Sequence, residues 1–314
     1  MKNKNIVVTG GLGFIGSHIV DELIDDNQIT IIDDKSSGKL ENLYNPKHKN
    51  LNIIIEDLNE ISLSNLTEIL NNIDYVFHLA AISSVPISIE DPITSNKNNV
   101  DATVKLLTAA KDAGVLKLIF SSSSAVYGEN PNMPLKENEP LMPSSPYAAS
   151  KASCELYCDS FWESYELATV SLRYFNVFGP KQDVNSHYAA VIPNFIYSLL
   201  NEKQAIIYGD GKQTRDFVYV KDIVKANIAA ALSDYCGVMN IASGVAISIN
   251  QLYKTVKYTL DSNLDPIYKE KRQGDIKHSL ANVENMKKIG FEVKSSDFPK
   301  QLEKTVQWFK NKKN

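Results

Sequence analysis

A tyrosine followed four residues later by a lysine, Tyr147 and Lys151, lies in the segment SSPYAASKAS, residues 144–153. On a helix this spacing puts both side chains on one face, close enough to interact. A phenol beside a cation is a candidate base for the proton of a hydroxyl group that loses a hydride. Tyr208 and Tyr253 also precede a lysine by four residues, so the spacing alone does not select the catalytic pair.

A glycine-rich turn near the N-terminus is the second candidate site. Gly10, Gly11, Gly13 and Gly16 lie between a predicted strand and a predicted helix, and they fit either G-x-G-x-x-G or G-x-x-G-x-x-G. Residues without a Cβ let the backbone approach a pyrophosphate, and the helix N-terminus offers free N–H groups. Asp33, at the end of the next predicted strand, completes a dinucleotide-binding pattern.

The carboxylate of Asp33 also bears on the choice of cofactor. It can accept hydrogen bonds from both hydroxyls of the adenosine ribose but repels a 2′-phosphate, and the next ten residues contain no arginine. The sequence therefore predicts NAD rather than NADP. Asp57 ends the third predicted strand, where an adenine amino group could lie, although a helix N-cap or a solvated acid is the alternative.

The elements that must position these residues alternate along the first half of the chain. Apolar runs at 5–10, 28–33, 51–57, 74–80, 116–122 and 168–176 predict buried strands, and the stretches 14–26, 63–70, 93–113 and 145–164 predict helices. This alternation predicts an α/β fold with a doubly wound parallel (Rossmann) sheet. We expect a NAD-binding domain at 1–176 and a smaller mixed lobe at 177–314, with some segments returning to the first domain.

Beyond residue 177 the pattern loosens, with helices expected near 190–202, 248–261 and 297–311 and short strands near 205–209 and 265–270. Apolar residues make up 43% of the 314 residues and the formal charge is −4, so the sequence predicts a globular protein that does not bind nucleic acid. Cys154, Cys158 and Cys236 show no metal-ligand clustering, and packing is favoured over a metal or redox role. We expect a cytoplasmic setting, no metal and no membrane span.

Longer segments of the chain carry a family resemblance that covers nearly its whole length. They are TGGLGFIG (9–16), HLAA (78–81), NNV (98–100), SSSSAVYG (121–128), SPYAASK (145–151), RYFNVFGP (173–180), RDFVYVKD (215–222) and RQGDIKHS (272–279). Through them the chain resembles the extended short-chain dehydrogenase/reductase family and, within it, the nucleotide-sugar 4-epimerases. The last three segments correspond to the region of that family that holds the nucleotide sugar.

The resemblance implies a catalytic role for one Tyr-x-x-x-Lys pair. It implies that Tyr147 is the base, that Lys151 lowers its pKa and binds the nicotinamide ribose, and that Ser123 hydrogen-bonds the reacting oxygen. Tyr208 then falls in a turn, and Tyr253 packs in a C-terminal helix. The cofactor contacts that the resemblance implies are Gly10, Gly13, Phe14, Ile15, Gly16, Asp33, Asp34, Gly38, Asp57, Leu58, Leu79, Ala80, Ala81, Asn98, Ser121, Tyr147, Lys151 and Tyr174.

The resemblance also implies a site for a UDP-sugar. Its members are Ser123, Asn176, Ala190, Val191, Tyr208, Arg215, Arg272, Asp275 and Ser279. The two arginines would clamp the diphosphate, because a guanidinium bonds two phosphate oxygens at once. Surface ion pairs with Asp216 and Asp275 are the alternative. Ser279 would face the C2 substituent of the sugar, and its small side chain leaves room for an N-acetyl group.

The residues after Ser123 bear on the reaction. Relatives that dehydrate or decarboxylate the sugar carry acids there, whereas this chain has Ser124 and Ala125. The resemblance thus implies a UDP-sugar 4-epimerase acting through a transient 4-keto intermediate on UDP-glucose/UDP-galactose and UDP-GlcNAc/UDP-GalNAc. A 4-epimerase of UDP-glucuronate or UDP-N-acetylglucosaminuronate is the alternative, and a non-catalytic NAD-binding protein is less favoured.

The family usually forms a homodimer through helices that correspond to 93–113 and 145–164. Tyr157, Phe161 and Trp162 add apolar side chains to the second of these helices. They are consistent with a dimer interface or with an intramolecular core, and we expect a homodimer.

Overall fold

A seven-stranded parallel sheet forms the centre of the computed structural model, which describes residues 1–183, 190–271 and 276–313. The strand order is β10-β6-β5-β4-β1-β2-β3. The strands are β1 Asn5–Thr9, β2 Gln28–Asp33, β3 Leu51–Ile55, β4 Tyr75–His78, β5 Lys117–Ser123, β6 Ala168–Tyr174, β7 Asn176–Phe178, β8 Ile206–Tyr208, β9 Thr214–Tyr219, β10 Gly237–Ile241, β11 Ala246–Ser248 and β12 Ile267–Lys269.

Helices cover both faces of this sheet. They are α1 Phe14–Leu23, α2 Leu63–Leu70, α3 Val85–Glu90, α4 Pro92–Asn96, α5 Ala102–Ala113, α6 Pro146–Tyr165, α7 Val191–Leu200, α8 Val220–Leu232, α9 Ile249–Thr259 and α10 Phe298–Lys313. One apolar cluster joins the sheet to α1 and α8, and a second joins it to α2, α5 and α6. Strands buried on both faces must be apolar throughout, which explains why these strands were readable in the sequence.

A smaller mixed lobe follows β6. The strands β11, β9 and β7 form a three-stranded sheet, and β12 pairs with β8. A third apolar cluster joins these strands to α7, α9 and α10, with Phe178, Phe195 and Leu252 among its fully buried members. The predicted fold class, a doubly wound parallel sheet with a smaller mixed lobe, is confirmed. The domain boundary at residue 176 stays a prediction.

Three helical regions differ from the sequence-based expectation, one of them α3, which was not predicted. The predicted helix at 93–113 is divided into α4, a π-helical turn at Lys97–Asp101, and α5. The helix α8 was not expected, because its alanine-rich sequence gives a weak amphipathic signal and the side chain of its N-cap residue, Tyr219, makes no capping hydrogen bond. Within the described ranges, no helix combines the length and apolarity needed to cross a bilayer.

Candidate functional site

A cleft of about 260 Å³ opens at the carboxyl ends of the sheet strands, where ligands bind in open α/β sheets. All but one of the residues expected to contact the cofactor line this cleft: Gly10, Gly13, Phe14, Ile15, Gly16, Asp33, Asp34, Asp57, Leu58, Leu79, Ala80, Ala81, Asn98, Ser121, Tyr147, Lys151 and Tyr174. The exception is Gly38, which lies against the Asp33 carboxylate, since a Cβ on Gly38 would lie 2.7 Å from Asp33 Oδ1.

Several lining residues were not anticipated from the sequence. They are Ile32, Ser36, Ser37, Glu56, Ile82, Ser83, Ala102 and Ser122. Most of them flank a predicted contact in the chain, so strand ends and the turns that follow them were the signal that could have found them. The loop containing Ile82 and Ser83 reaches the cleft because the Asn99 side chain accepts from Ile82 N (2.8 Å) and donates to Ile82 O (3.1 Å).

The glycine turn brings the backbone close to the cleft. Gly10 has φ +66°, and a Cβ there would lie 2.8 Å from Ala80 N. A Cβ on Gly16 would collide with the carbonyl oxygen of Gly10. Gly13 is the N-cap residue of α1. Because glycine has no side chain, no side-chain hydrogen bond caps this helix. This arrangement fits a dinucleotide pyrophosphate, because small residues and open N–H groups at a helix start accommodate phosphate oxygens.

The carboxylate of Asp33 is fixed at the end of β2 by two backbone donors. Its Oδ2 accepts from Leu12 N (3.0 Å) and its Oδ1 from Lys35 N (2.8 Å). Burial raises the pKa of Asp33, and these two hydrogen bonds oppose the rise. Each oxygen keeps a further lone pair, so the group can accept from hydroxyls of a ribose.

Asp57 begins a turn rather than a helix. Its Oδ1 accepts from Asn59 N at 2.8 Å, whereas the N-cap of α2 is Ser62, which accepts from Asn65 N. The alternative of a helix N-cap at Asp57 is therefore wrong, because α2 begins five residues farther along the chain than that reading requires.

The helix α6 presents Tyr147 and Lys151 to the end of β5. Its start is fixed by Ser145, whose side chain accepts from Ala148 N. The Lys151 ammonium, in a side chain only 4% exposed, donates to the Ser121 carbonyl oxygen at 2.7 Å and lies 4.7 Å from the centroid of the Phe120 ring. Burial lowers the pKa of Lys151 to about 8, against the opposing effect of Cys154, Cys158 and Glu155.

The hydroxyl group of half-buried Tyr147 lies near the side chain of Ser123. Burial raises the pKa of Tyr147, and the interaction with Ser123 opposes that rise. The role of a base, inferred from the sequence, requires a lowered pKa of Tyr147. The protein on its own raises the pKa of Tyr147, which is the opposite direction. Ser123 also accepts from Ala125 N at 3.2 Å, which starts a 3-10 helix at Ser124–Tyr127.

The other two Tyr-x-x-x-Lys spacings lie in different settings. Tyr208 ends β8 and precedes a turn in which Gly209 and Gly211 have positive φ. Tyr253 is buried in α9, where its ring makes a T-shaped contact with Phe195 at 5.3 Å and its hydroxyl donates to Leu264 O at 2.9 Å. Tyr147 alone among the three lines the cleft.

A buried histidine links the glycine turn to the helical region opposite it. Thr9 Oγ1 accepts from Leu79 N and Ala80 N, so its proton goes to His78 Nδ1 at 2.7 Å. Thr103 Oγ1 donates to the carbonyl oxygen of Asn99, and it therefore accepts from His78 Nε2 at 2.9 Å. Burial lowers the pKa of His78 to about 3, so the ring is neutral and protonated on Nε2.

Apart from Ser123 at the end of β5, the predicted substrate residues that the structure describes lie on the smaller lobe and its borders. Asn176 opens β7, Arg215 lies in β9, Ala190 and Val191 begin α7, and Ser279 is buried. Arg215 Nη1 and Ser279 N both donate to the carbonyl oxygen of Thr214, at 2.8 and 3.2 Å. Arg272 and Asp275 lie outside the described residues.

The helix expected to form a dimer interface has mixed exposure. In α6 the side chains of Leu156, Tyr157 and Trp162 are exposed, whereas Phe161 is buried in the core of the sheet domain. Phe161 is thus a core residue, since it packs against the sheet. The homodimer stays a prediction, which sedimentation velocity can test through the mass of the particle.

Comparison with known proteins gives consistent findings over the whole chain. The sequence profile of the NAD dependent epimerase/dehydratase family matches residues 6–242. The solved structure of UDP-N-acetylglucosamine 4-epimerase from Methanobrevibacter ruminantium M1, in complex with UDP-N-acetylmuramic acid, is 60% identical, has a TM-score of 0.98 and covers 99% of this chain and 100% of its own.

Curated relatives with similar coverage catalyse more than one reaction. The UDP-glucose 4-epimerase of Mycolicibacterium smegmatis is 35% identical over 98% of each chain. The UDP-N-acetyl-alpha-D-glucosaminuronate decarboxylase of Bacillus cytotoxicus is 33% identical over 99% of each chain.

Proposed function

The chain belongs to the NAD dependent epimerase/dehydratase family, and we propose that it is a 4-epimerase of UDP-sugars. The proposed substrates are the UDP-GlcNAc/UDP-GalNAc pair and the UDP-glucose/UDP-galactose pair. The observation that carries the proposal is the position of Tyr147 and Lys151 in the cleft, combined with Ser124 and Ala125 at the two positions that follow Ser123 in the chain. Neither of those two residues has a side chain suited to moving a proton at C5 or C6 of a sugar.

NAD is the cofactor of this family, in agreement with the sequence prediction. The glycine turn and the start of α1 would hold the pyrophosphate, Asp33 the adenosine ribose, and Lys151 the nicotinamide ribose. When bound, NAD supplies a hydride acceptor and donor and a positive charge near the active-site phenol. The residues lining the cleft fit such a group, because the glycine positions leave space and Asp33 keeps acceptor capacity.

The proposed task of the chain's own residues is to move one proton and hold one oxygen. Tyr147 takes the proton from the C4 hydroxyl and later returns it, and Ser123, whose side chain lies near the phenol, hydrogen-bonds the reacting oxygen. Lys151 stabilises the phenolate as a cation held in place by the Ser121 carbonyl oxygen. The hydride lost from C4 must return to the opposite face of the ring for C4 to be inverted, so the 4-keto sugar must rotate in the site before it is reduced.

Incubation of the purified protein with UDP-GlcNAc and, separately, UDP-glucose, without added NAD, tests this function. We expect the C4 epimer of at least one substrate, detected by NMR. UDP-glucuronate serves as a third substrate, and exclusive turnover of it would favour the uronic acid alternative. If neither UDP-GlcNAc nor UDP-glucose is epimerised, the proposal fails.

Replacement of Ser279 by tyrosine tests the assignment of the C2 gate. We expect kcat/KM for UDP-GlcNAc to fall about 10- to 100-fold while turnover of UDP-glucose is kept, because a large side chain excludes the N-acetyl group. Ser279→Ala is the matched control, since it adds no bulk, and it should leave the ratio of the two kcat/KM values unchanged. Equal losses for both substrates in Ser279→Tyr would contradict the assignment.

The pH dependence of the reaction should report the charge of Lys151. Its pKa lies at about 8, so the ammonium is present below that pH and is lost as the pH rises through it. We expect kcat/KM to fall about tenfold per pH unit above this value. The limb should move to higher pH in Lys151→Arg, because a guanidinium keeps its charge. A basic limb that stays in place in Lys151→Arg would assign it to another group.

A further inference from the structure

Asp216 is a buried carboxylate to which the proposed chemistry gives no role. It lies in β9 and is fully buried. Its Oδ1 accepts from Ser243 N (2.8 Å) and Ser243 Oγ (2.7 Å), and its Oδ2 accepts from Gly244 N (3.0 Å) and Ala281 N (3.2 Å). Its burial excludes the surface ion pair considered for Arg215 and Asp216. A buried charge is costly, so four donors from two separate segments indicate a built arrangement.

One of those segments, residues 277–281, lies beside the start of β9, and we call it the strip. Thr214 N donates to Lys277 O at 3.1 Å, and Ser279 N donates to Thr214 O at 3.2 Å. Beyond the backbone pairing with Thr214, the hydrogen bond from Ala281 N to the Asp216 carboxylate attaches the strip to β9.

The strip and the Arg215 side chain share an acceptor. Arg215 Nη1 donates to Thr214 O at 2.8 Å, and this is the same oxygen that accepts from Ser279 N. A shift of the strip would therefore move Ser279 and disturb the hydrogen bond that orients the guanidinium. Ser279 is proposed to meet the sugar, and Arg215 is proposed to bind the diphosphate.

A second attachment supports the strip on its other side. Leu135 N donates to Leu280 O at 2.8 Å, and Asn282 N donates to Leu135 O at 2.8 Å. Loss of the Asp216 bond would thus remove one attachment of the strip and leave its attachments to Thr214 and Leu135. We expect such a change to alter the position of Ser279 without unfolding the lobe.

We propose that Asp216 is a positioning residue for the UDP-sugar. Its carboxylate holds the strip against β9 and thereby places Ser279 and Arg215 for substrate binding. This inference rests on the proposed function, because it assumes that these two residues meet the substrate. Only an ionised carboxylate can accept all four hydrogen bonds, since an asparagine has one acceptor oxygen and would turn its NH₂ group toward N–H donors. Asp216 does not line the cofactor cleft, so its effect should fall on substrate binding.

The Asp216→Asn variant of the full chain tests the proposal. We expect KM for UDP-GlcNAc to rise about 10- to 100-fold, as two hydrogen bonds to a charged group are lost, with kcat within about threefold of the wild type. The amount of NAD bound should not change. Asp222→Asn is the matched control: this half-buried carboxylate at the start of α8 accepts from Gln301 Nε2 at 2.8 Å, and its variant should keep the wild-type KM.

The Ser243→Ala variant is the second arm, because it removes one donor and keeps the charge. We expect a smaller rise in KM, about threefold to tenfold. An unchanged KM in a folded Asp216→Asn variant, or a fall in kcat as large as the rise in KM, would overturn the proposal. If Asp216→Asn does not fold, Ser243→Ala decides in the same way.

Calorimetry with UDP separates this inference from the proposed function. If the wild type epimerises no UDP-sugar, the proposed function fails, and the ratio of the UDP Kd values of variant and wild type still decides the role of Asp216. Weaker UDP binding by Asp216→Asn supports the positioning role of Asp216. Equal binding, or no UDP binding by the wild type, overturns it.

Discussion

Tyr147→Phe is expected to lower kcat for the epimerisation of UDP-GlcNAc about a thousandfold, because the variant loses the group that moves the proton and keeps the ring. The hydroxyl removed is the one that lies near Ser123, and the helix around it is held by other contacts: Tyr147 N donates to Ser88 Oγ at 3.0 Å. We therefore expect UDP to bind with the wild-type Kd. The measurement is NMR of substrate and product at saturating UDP-GlcNAc, together with calorimetry of UDP.

Tyr253→Phe is a matched control, because Tyr253 also precedes a lysine by four residues and donates its hydroxyl proton to Leu264 O. Tyr253→Phe also removes a hydroxyl group from a tyrosine that precedes a lysine by four residues, but this tyrosine lies in the packed core of the smaller lobe. Its kcat should remain within about twofold of the wild type, since no reacting group is touched. Turnover by Tyr147→Phe at more than a tenth of the wild-type rate would exclude Tyr147 as the base.

Arg173→Met is expected to destabilise the fold by about 3–5 kcal/mol, because it leaves a buried carboxylate without its counter-charge. Arg173 Nη2 lies 2.7 Å from Glu155 Oε2, its Nε lies 2.9 Å from Oε1, and the two side chains are only 4% and 2% exposed. Ser122 donates to the same carboxylate. The pair joins α6, which carries Lys151, to β5 and β6. Urea unfolding at neutral pH measures the loss.

The double variant Glu155→Leu/Arg173→Met should recover most of that loss and lie within about 2 kcal/mol of the wild type, because an apolar pair carries no desolvation cost. Lys2→Met is the surface comparison: Lys2 pairs with Asp26 at 3.2 Å, and both side chains are mostly exposed, so the change should be below about 1 kcal/mol. A double variant as unstable as Arg173→Met would show that packing, and not the unpaired charge, causes the loss.

The sequence predicted those parts of the fold whose signal is local. The strands of the central sheet were readable because each is a short apolar run. The break in the helix at 93–113 was not, since Lys97–Asp101 follows a π-helical path in which the Asn99 side chain bonds the distant Ile82 backbone. The sequence also could not predict that β10 pairs with β6, because a strand of five residues carries no signal for the strand that lies beside it.

The candidate site was likewise predictable from the sequence only in part. Residue types and their order along the chain predicted that the glycine turn, Asp33, Tyr147 and Lys151 would share a cleft. They did not predict that burial raises the pKa of Tyr147, because desolvation depends on the atoms packed around the ring. Nor could they show that Arg215 and Ser279 share the Thr214 carbonyl oxygen, since that contact joins distant parts of the chain.

The position of β10 has a consequence for how the protein is made. The central sheet is finished only when Gly237–Ile241 pairs with β6, and most of the smaller lobe's strands precede β10 in the chain. On the ribosome, the edge of β6 therefore stays open while some sixty further residues are synthesised, and an open edge can pair with another chain. A chain cut after residue 176 would keep the glycine turn and Tyr147 but would expose this edge permanently, so we expect it to aggregate rather than to yield a free nucleotide-binding domain.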